Sequence, residues 1–147
     1  MKRAGKFLVL EAQEGNPVPR IVQWQDKGDL PQLYREGCQS LPRMLMLDME
    51  TGMDFFYPDF LFHPVLLVSR EAMEVICLYE EGMAFCFCAL FDRKREEGIA
   101  YYCPVLPEEE GHVLYRKRKG NGFEYRVRLD LAESLLRREA SGFMLKG

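Results

Sequence analysis

Apolar residues recur along this chain with two different periods. Lys6–Ala12, Met44–Met49 and Met83–Phe91 alternate at period two or run almost unbroken, which predicts strands. Ile21–Trp24 and Leu66–Val68 add shorter strand-like runs, and Gly98–Val105 a further strand. Met83–Phe91 is nearly all apolar and predicts a central or half-buried strand, a pattern that suits cover on both faces. With Gly98–Val105 it forms a hairpin, joined by the charged turn Asp92–Glu97. A second hairpin is the clearest local signal. His112–Lys119 leads into Gly120-Asn121-Gly122, a turn that suits positive φ. Phe123, Tyr125, Val127 and Leu129 then face one way, and Glu124, Arg126 and Arg128 the other.

The helical period appears twice with clear boundaries. Ser69 is a candidate N-cap, with Glu71 in the favourable first turn of a helix over Arg70–Glu80. Met73, Ile76, Cys77 and Tyr79 or Glu80 make its apolar stripe, and Gly82 stops it. A second helix runs over Leu131–Ala140, with Leu131, Leu135 and Leu136 on one face. Asp130 and Glu133 have capping-box spacing at its start, and Ser141-Gly142 ends it. The tail Phe143–Leu145 is apolar enough to dock. A brief helical or irregular piece after Gly28-Asp29, with Leu30, Leu33 and Tyr34 at helical spacing, ends at Gly37. These elements predict an α+β fold: a mainly antiparallel sheet of five to seven strands with two main helices packed against it.

Length and composition keep that picture simple. The 147 residues suit one domain spanning 1–147, with no linker, repeat or low-complexity stretch. The 20 basic and 23 acidic residues leave a formal charge of -3, which steers no particular partner. No apolar run approaches the ~20 residues that cross a bilayer. Only four apolar residues, Phe7–Leu10, follow the basic start, so no export signal is predicted and the expected location is cytoplasmic. The five cysteines include no Cys-x-x-Cys pair and read as buried thiols in a reducing compartment.

Candidate chemistry is sparse. The chain lacks a Gly-rich phosphate loop, a zinc-helix motif and a nucleophile elbow, so no catalytic residue, metal ligand or cofactor is assigned. His63, beside Pro64, reads as a packed structural histidine, and His112 as an exposed one. Asp48, Glu50, Asp54 and Asp59 read as solvated turn residues. An enzymatic alternative would bring His63 together with Asp54 or Asp59 in a pocket. Arg116-Lys117-Arg118-Lys119 could meet phosphates, but Tyr115, Phe123 and Tyr125 read as core and the chain is net acidic. That favours a solvated, charge-protected hairpin face over nucleic-acid binding. Trp24 lies between glutamines, and Phe55, Phe56, Tyr57 and Phe60 are crowded around Pro58. Aromatic and arginine residues are favoured at interface centres. The candidate protein-binding residues are therefore Trp24, Asp54, Phe56, Asp59, Arg116 and Arg118.

The segment from Asp59-Phe60-Leu61 through Pro64-Val65-Leu66-Leu67-Val68-Ser69, then Phe85–Leu90 and Tyr101-Tyr102-Cys103-Pro104-Val105, resembles a known group. These are the small bacterial immunity-type proteins found beside polymorphic toxins. The likeness covers about residues 54–106, with an echo at Lys6–Leu10. It implies a protein that neutralises a toxin encoded nearby by binding it, without catalysis. A structural homo-oligomer, meeting through the Phe123–Leu129 hairpin edge, is the third reading.

Overall fold

The computed structural model describes residues 5–13, 15, 18–24, 44–52, 55–63, 65–120 and 122–147; the side chains of 22–24 are outside that description. The helical piece expected after Gly28-Asp29 lies outside the described residues, as do Asp54 and Cys38.

The α+β class is as expected, with ten strands and two helices among the described residues. In chain order these are β1 (Phe7–Ala12), β2 (Arg20–Trp24), β3 (Met44–Glu50), β4 (Phe60–Leu61), β5 (Leu67–Val68) and α1 (Arg70–Tyr79). Then come β6 (Phe85–Asp92), β7 (Glu97–Pro104), β8 (Leu114–Lys119), β9 (Gly122–Arg128), α2 (Leu129–Arg137) and β10 (Phe143–Lys146). A four-stranded antiparallel sheet has the order β10-β1-β9-β8. A six-stranded sheet has the order β2-β3-β6-β7-β5-β4, and it is mixed because β3 and β6 run parallel. The docking tail is β10, which pairs along β1 with Ala12 opposite Phe143.

One apolar core joins both sheets and both helices. Phe60 of β4 meets Phe143 of β10 edge-on at 5.0 Å between ring centroids, and Phe62 meets Tyr125 of β9 at 6.0 Å. The helices touch each other, α1 against β7 and α2 against β1 and β9.

Helix α1 begins where its sequence signals put it. The Ser69 hydroxyl accepts the Ala72 amide at 3.1 Å, a cap that contributes about 1 kcal/mol. Its buried residues are Ala72, Val75 and Ile76, so the stripe is turned by about one position from the Met73–Cys77 reading. Small Ala72 fits close to the sheet, while Met73 and Cys77 flank the contact half-buried. The helix ends at Tyr79, with Glu80 already extended, two residues ahead of Gly82.

Helix α2 starts two residues earlier than expected. Its N-cap is Arg128, whose side chain makes no cap bond, and Asp130 sits inside the first turn. There Asp130 pairs with Arg128 at 2.8 Å and accepts the Leu131 amide at 2.9 Å. Both contacts favour the carboxylate, and its pKa is lowered, first by the Arg128 hydrogen bond. Leu131, Ala132, Ser134 and Leu135 are buried, while Leu136, expected on the core face, is exposed. The chain leaves the helix through Glu139 in the left-handed region, at φ 58°.

The second hairpin corrects a facing error. Phe123, Tyr125 and Val127 do share a face, but Tyr115 lies on the other one, opposite Arg126 and edge-on to Phe7 at 5.4 Å. Register pairs Arg116 with Tyr125 and Arg118 with Phe123. The arginines, not Tyr115, therefore line the aromatic side. Gly120, at φ 61°, supplies the turn's left-handed backbone.

Candidate protein-binding surface

The six-stranded sheet has an inner face and an outer one. Leu45, Leu47, Cys86, Cys88, Leu90, Tyr101 and Cys103 belong to the inner face and are buried. On the outer face the register lays three rows across β3, β6 and β7. These are Met44–Phe87–Tyr102, Met46–Ala89–Ala100 and Asp48–Phe91–Gly98. Met44 is 55% exposed, Met46 41% and Phe91 37%. Strand β6, read as central or half-buried, is central in the sheet and fully buried on one face only. Its Phe87 and Ala89 are only half-buried.

The middle row is low because Ala89 and Ala100 face each other with only methyl groups. A broad, open hollow of about 630 Å³ lies over it, walled by Met46, Phe87 and Phe91 and bordered by Arg93. Phe87 is braced by Tyr102, edge-on at 5.6 Å.

The cationic end is held in place from below. Asp92, read as part of a solvated turn, is buried. It accepts the Thr51 hydroxyl and the backbone amides of Lys94 and Arg95. The Thr51 hydrogen bond, more than the two amides, holds its carboxyl below the usual range. Arg95 donates to the Gly52 carbonyl at 3.0 Å and lies over the Phe55 ring at 4.8 Å. Asp48 is also buried rather than solvated, with Arg93 3.4 Å away.

Among the described candidates, Asp59 precedes β4 of the six-stranded sheet, while Arg116 and Arg118 lie on β8 of the four-stranded one. Trp24 ends β2, its backbone opposite Leu47. Phe56 is half-buried. Asp59 is half-buried and bonded internally: Ser69 donates to one carboxylate oxygen at 2.6 Å, and the amide and hydroxyl of Ser141 reach the other at 2.9 and 3.3 Å. It is a fastening between β4, α1 and the strand after α2. Arg116, expected on a solvated face, is fully buried. Its guanidinium lies over Phe123 at 4.0 Å and 3.6 Å from Glu108. Arg118 is exposed and donates to Glu108 at 3.1 Å.

His63 is exposed on the bend between β4 and β5, not packed as expected. Asp59, one acid considered for it, is bonded to Ser69 and Ser141, and Asp54, the other, lies outside the described residues. His112 is half-buried and bonded to Glu80 at 3.1 Å, while Glu80 also accepts the Val113 amide at 2.9 Å. Cys86, Cys88 and Cys103 are thiols buried on the inner face. A hydrogen bond with Cys86 and burial push the Cys88 thiol up, away from the reactive thiolate. Among the described residues, no cluster of three or more His, Cys, Asp or Glu has a metal-holding arrangement, and no helix is long and apolar enough to cross a membrane.

No protein-family model and no curated protein matches this chain.

The outer-face residues Met44, Met46 and Phe91 were missed from sequence. Their signal was present: β3 and β6 are apolar at both odd and even positions. That pattern means either double burial or one apolar face left open.

Proposed function

We propose that this chain is a non-enzymatic protein-binding module that works through the outer face of its six-stranded sheet. The observation that carries the reading is the contiguous apolar surface of Met44, Met46, Phe87 and Phe91, with methionine and phenylalanine side chains left exposed. Contiguous exposed apolar surface on a folded chain marks interaction sites, and Met and Phe are enriched at interface cores. The shared core of both sheets and both helices supports one domain over 1–147. The resemblance over residues 54–106 supports the finer reading: a bacterial, cytoplasmic immunity protein that neutralises a toxin encoded nearby. Of the candidate residues, Trp24 ends the strand beside β3, while Asp59 and Arg116 act as internal supports of the surface's scaffold.

The test is co-purification of the tagged chain with the product of the gene directly upstream in its source genome. The expected result is a stable complex and rescue of growth when both are expressed. Met46→Glu should lose the complex while keeping its circular dichroism and melting temperature. Absence of both complex and rescue overturns the toxin reading. A self-dimer disrupted by Met46→Glu would instead assign the same face to homo-oligomerisation.

A further inference from the structure

The three outer-face rows are not equivalent, and the difference specifies what could sit on them. The middle row presents the Ala89 and Ala100 methyl groups side by side, next to Met46. On β6 the neighbours of Ala89 on this face stand higher, Phe87 on one side and Phe91 on the other, while on β7 the floor continues from Ala100 to Gly98. A flat partner face would bridge this depression and leave it empty, at the cost of lost dispersion contacts. A single protruding side chain fills it. The volume, about 630 Å³, is ample for one bulky apolar group, and the wide mouth suits a side chain carried on a protein surface.

Charge is distributed just as unevenly. The Phe87 end is closed by Tyr102, and its surroundings are aromatic. The Phe91 end is bordered by Arg93, whose side chain is 71% exposed although Asp48 is 3.4 Å away. A guanidinium fork has donors to spare beyond that one contact. Lys94 follows in the same exposed turn. Glu96 and Glu97 complete the turn, and of these charged turn residues only Arg93 lines the hollow.

We infer that the hollow receives one bulky apolar side chain of a protein partner that carries a carboxylate beside it, the carboxylate meeting Arg93. This rests on the protein-binding reading above and adds the partner's chemistry. Seating an aromatic ring over Ala89 and Ala100 leaves a neighbouring residue of the partner near the turn, where a cation is already in place. A lysine there would meet Arg93 and be repelled.

The experiment uses three probes with the intact chain: the amides of N-acetyl-Phe-Glu, N-acetyl-Phe-Lys and N-acetyl-Ser-Glu. Binding is read from the methyl resonances of Met46, Ala89 and Ala100. Phe-Glu should shift these methyls and bind about threefold more tightly than Phe-Lys, the ratio an exposed ion pair supplies. Ser-Glu should leave them unmoved. Arg93→Glu, at an exposed site, should reverse the order of the first two. Ala100→Leu should abolish both, and Met46→Ala should weaken both if the leucine variant fails to fold. Equal binding of Phe-Glu and Phe-Lys, or shifts located elsewhere, overturns the inference. A partner complex indifferent to Arg93→Glu and Ala100→Leu overturns it too, while leaving the protein-binding reading standing. Absence of any partner complex counts against that reading, and the probes still decide the hollow.

Discussion

The Asp59 carboxylate accepts the Ser69 hydroxyl at 2.6 Å, and that same hydroxyl oxygen accepts the Ala72 amide that opens α1. The cap is therefore itself held. Asp59 fixes the rotamer of Ser69 and at the same time binds Ser141, 82 residues later. Asp59→Ala should cost about 2–4 kcal/mol, because several hydrogen bonds to a carboxylate vanish together. Asp59→Asn keeps the shape and one acceptor and should cost less. Urea unfolding of both variants checks the order.

Gly142 sits at φ 96° immediately after that fastening. A Cβ there would lie 2.4 Å from the Phe60 carbonyl oxygen and 2.7 Å from Pro58 Cβ. Neither neighbour is the flexible end of a side chain. Gly142→Ala should therefore destabilise by more than about 2 kcal/mol, combining backbone strain with overlap. The expected readout is a clear fall in melting temperature. Gly82→Ala, where nothing lies within 4 Å, serves as the neutral control.

The pH response follows from Asp92. Its carboxyl is held below the usual range, chiefly by Thr51 and then by the Lys94 and Arg95 amides. A depressed folded-state pKa means that the carboxylate's contribution is complete above the unfolded pKa of about 3.9 and is lost as pH falls through the lower folded value. Stability measured by urea midpoint should fall below about pH 4 in the wild type. In Asp92→Asn the same curve should be flatter over that window, and lower than the wild type near neutrality. Identical curves would exclude this carboxylate as a contributor.

Arg116 separates packing from charge. It is buried against Phe123 and close to Glu108, which is exposed. Arg116→Ala removes a long buried stem and should cost about 2–3 kcal/mol. Arg116→Met fills much of the same space without a charge to desolvate and should stay within about 1 kcal/mol of the wild type. Chemical denaturation distinguishes this from a dominant ion pair, for which both variants would lose alike.

What the chain discloses by itself is local. The Ser69 cap, the β6–β7 hairpin and the Gly120 turn depend on neighbours a few residues away, and each is placed as the pattern predicts. Facing across a turn is harder, because β8 and β9 alternate independently until register joins Arg118 to Phe123. Asp59 read as a turn residue because its partner Ser141 lies far along the chain. The candidate surface was half legible. Met44 and Met46 alternate with Leu45 and Leu47, so two apolar faces were evident. Which of them the rest of the chain covers is a tertiary fact that no periodicity carries.

The order β10-β1-β9-β8 also constrains how the protein can be made. Strand β1 is made before every other described element, and both of its neighbours, β9 and β10, follow long after it. Until β9 and then β10 arrive, Leu8 and Leu10 have no sheet to complete and both edges of β1 stay open. This sheet must form after β9 and β10 are translated, whereas the β6–β7 hairpin can close while synthesis continues.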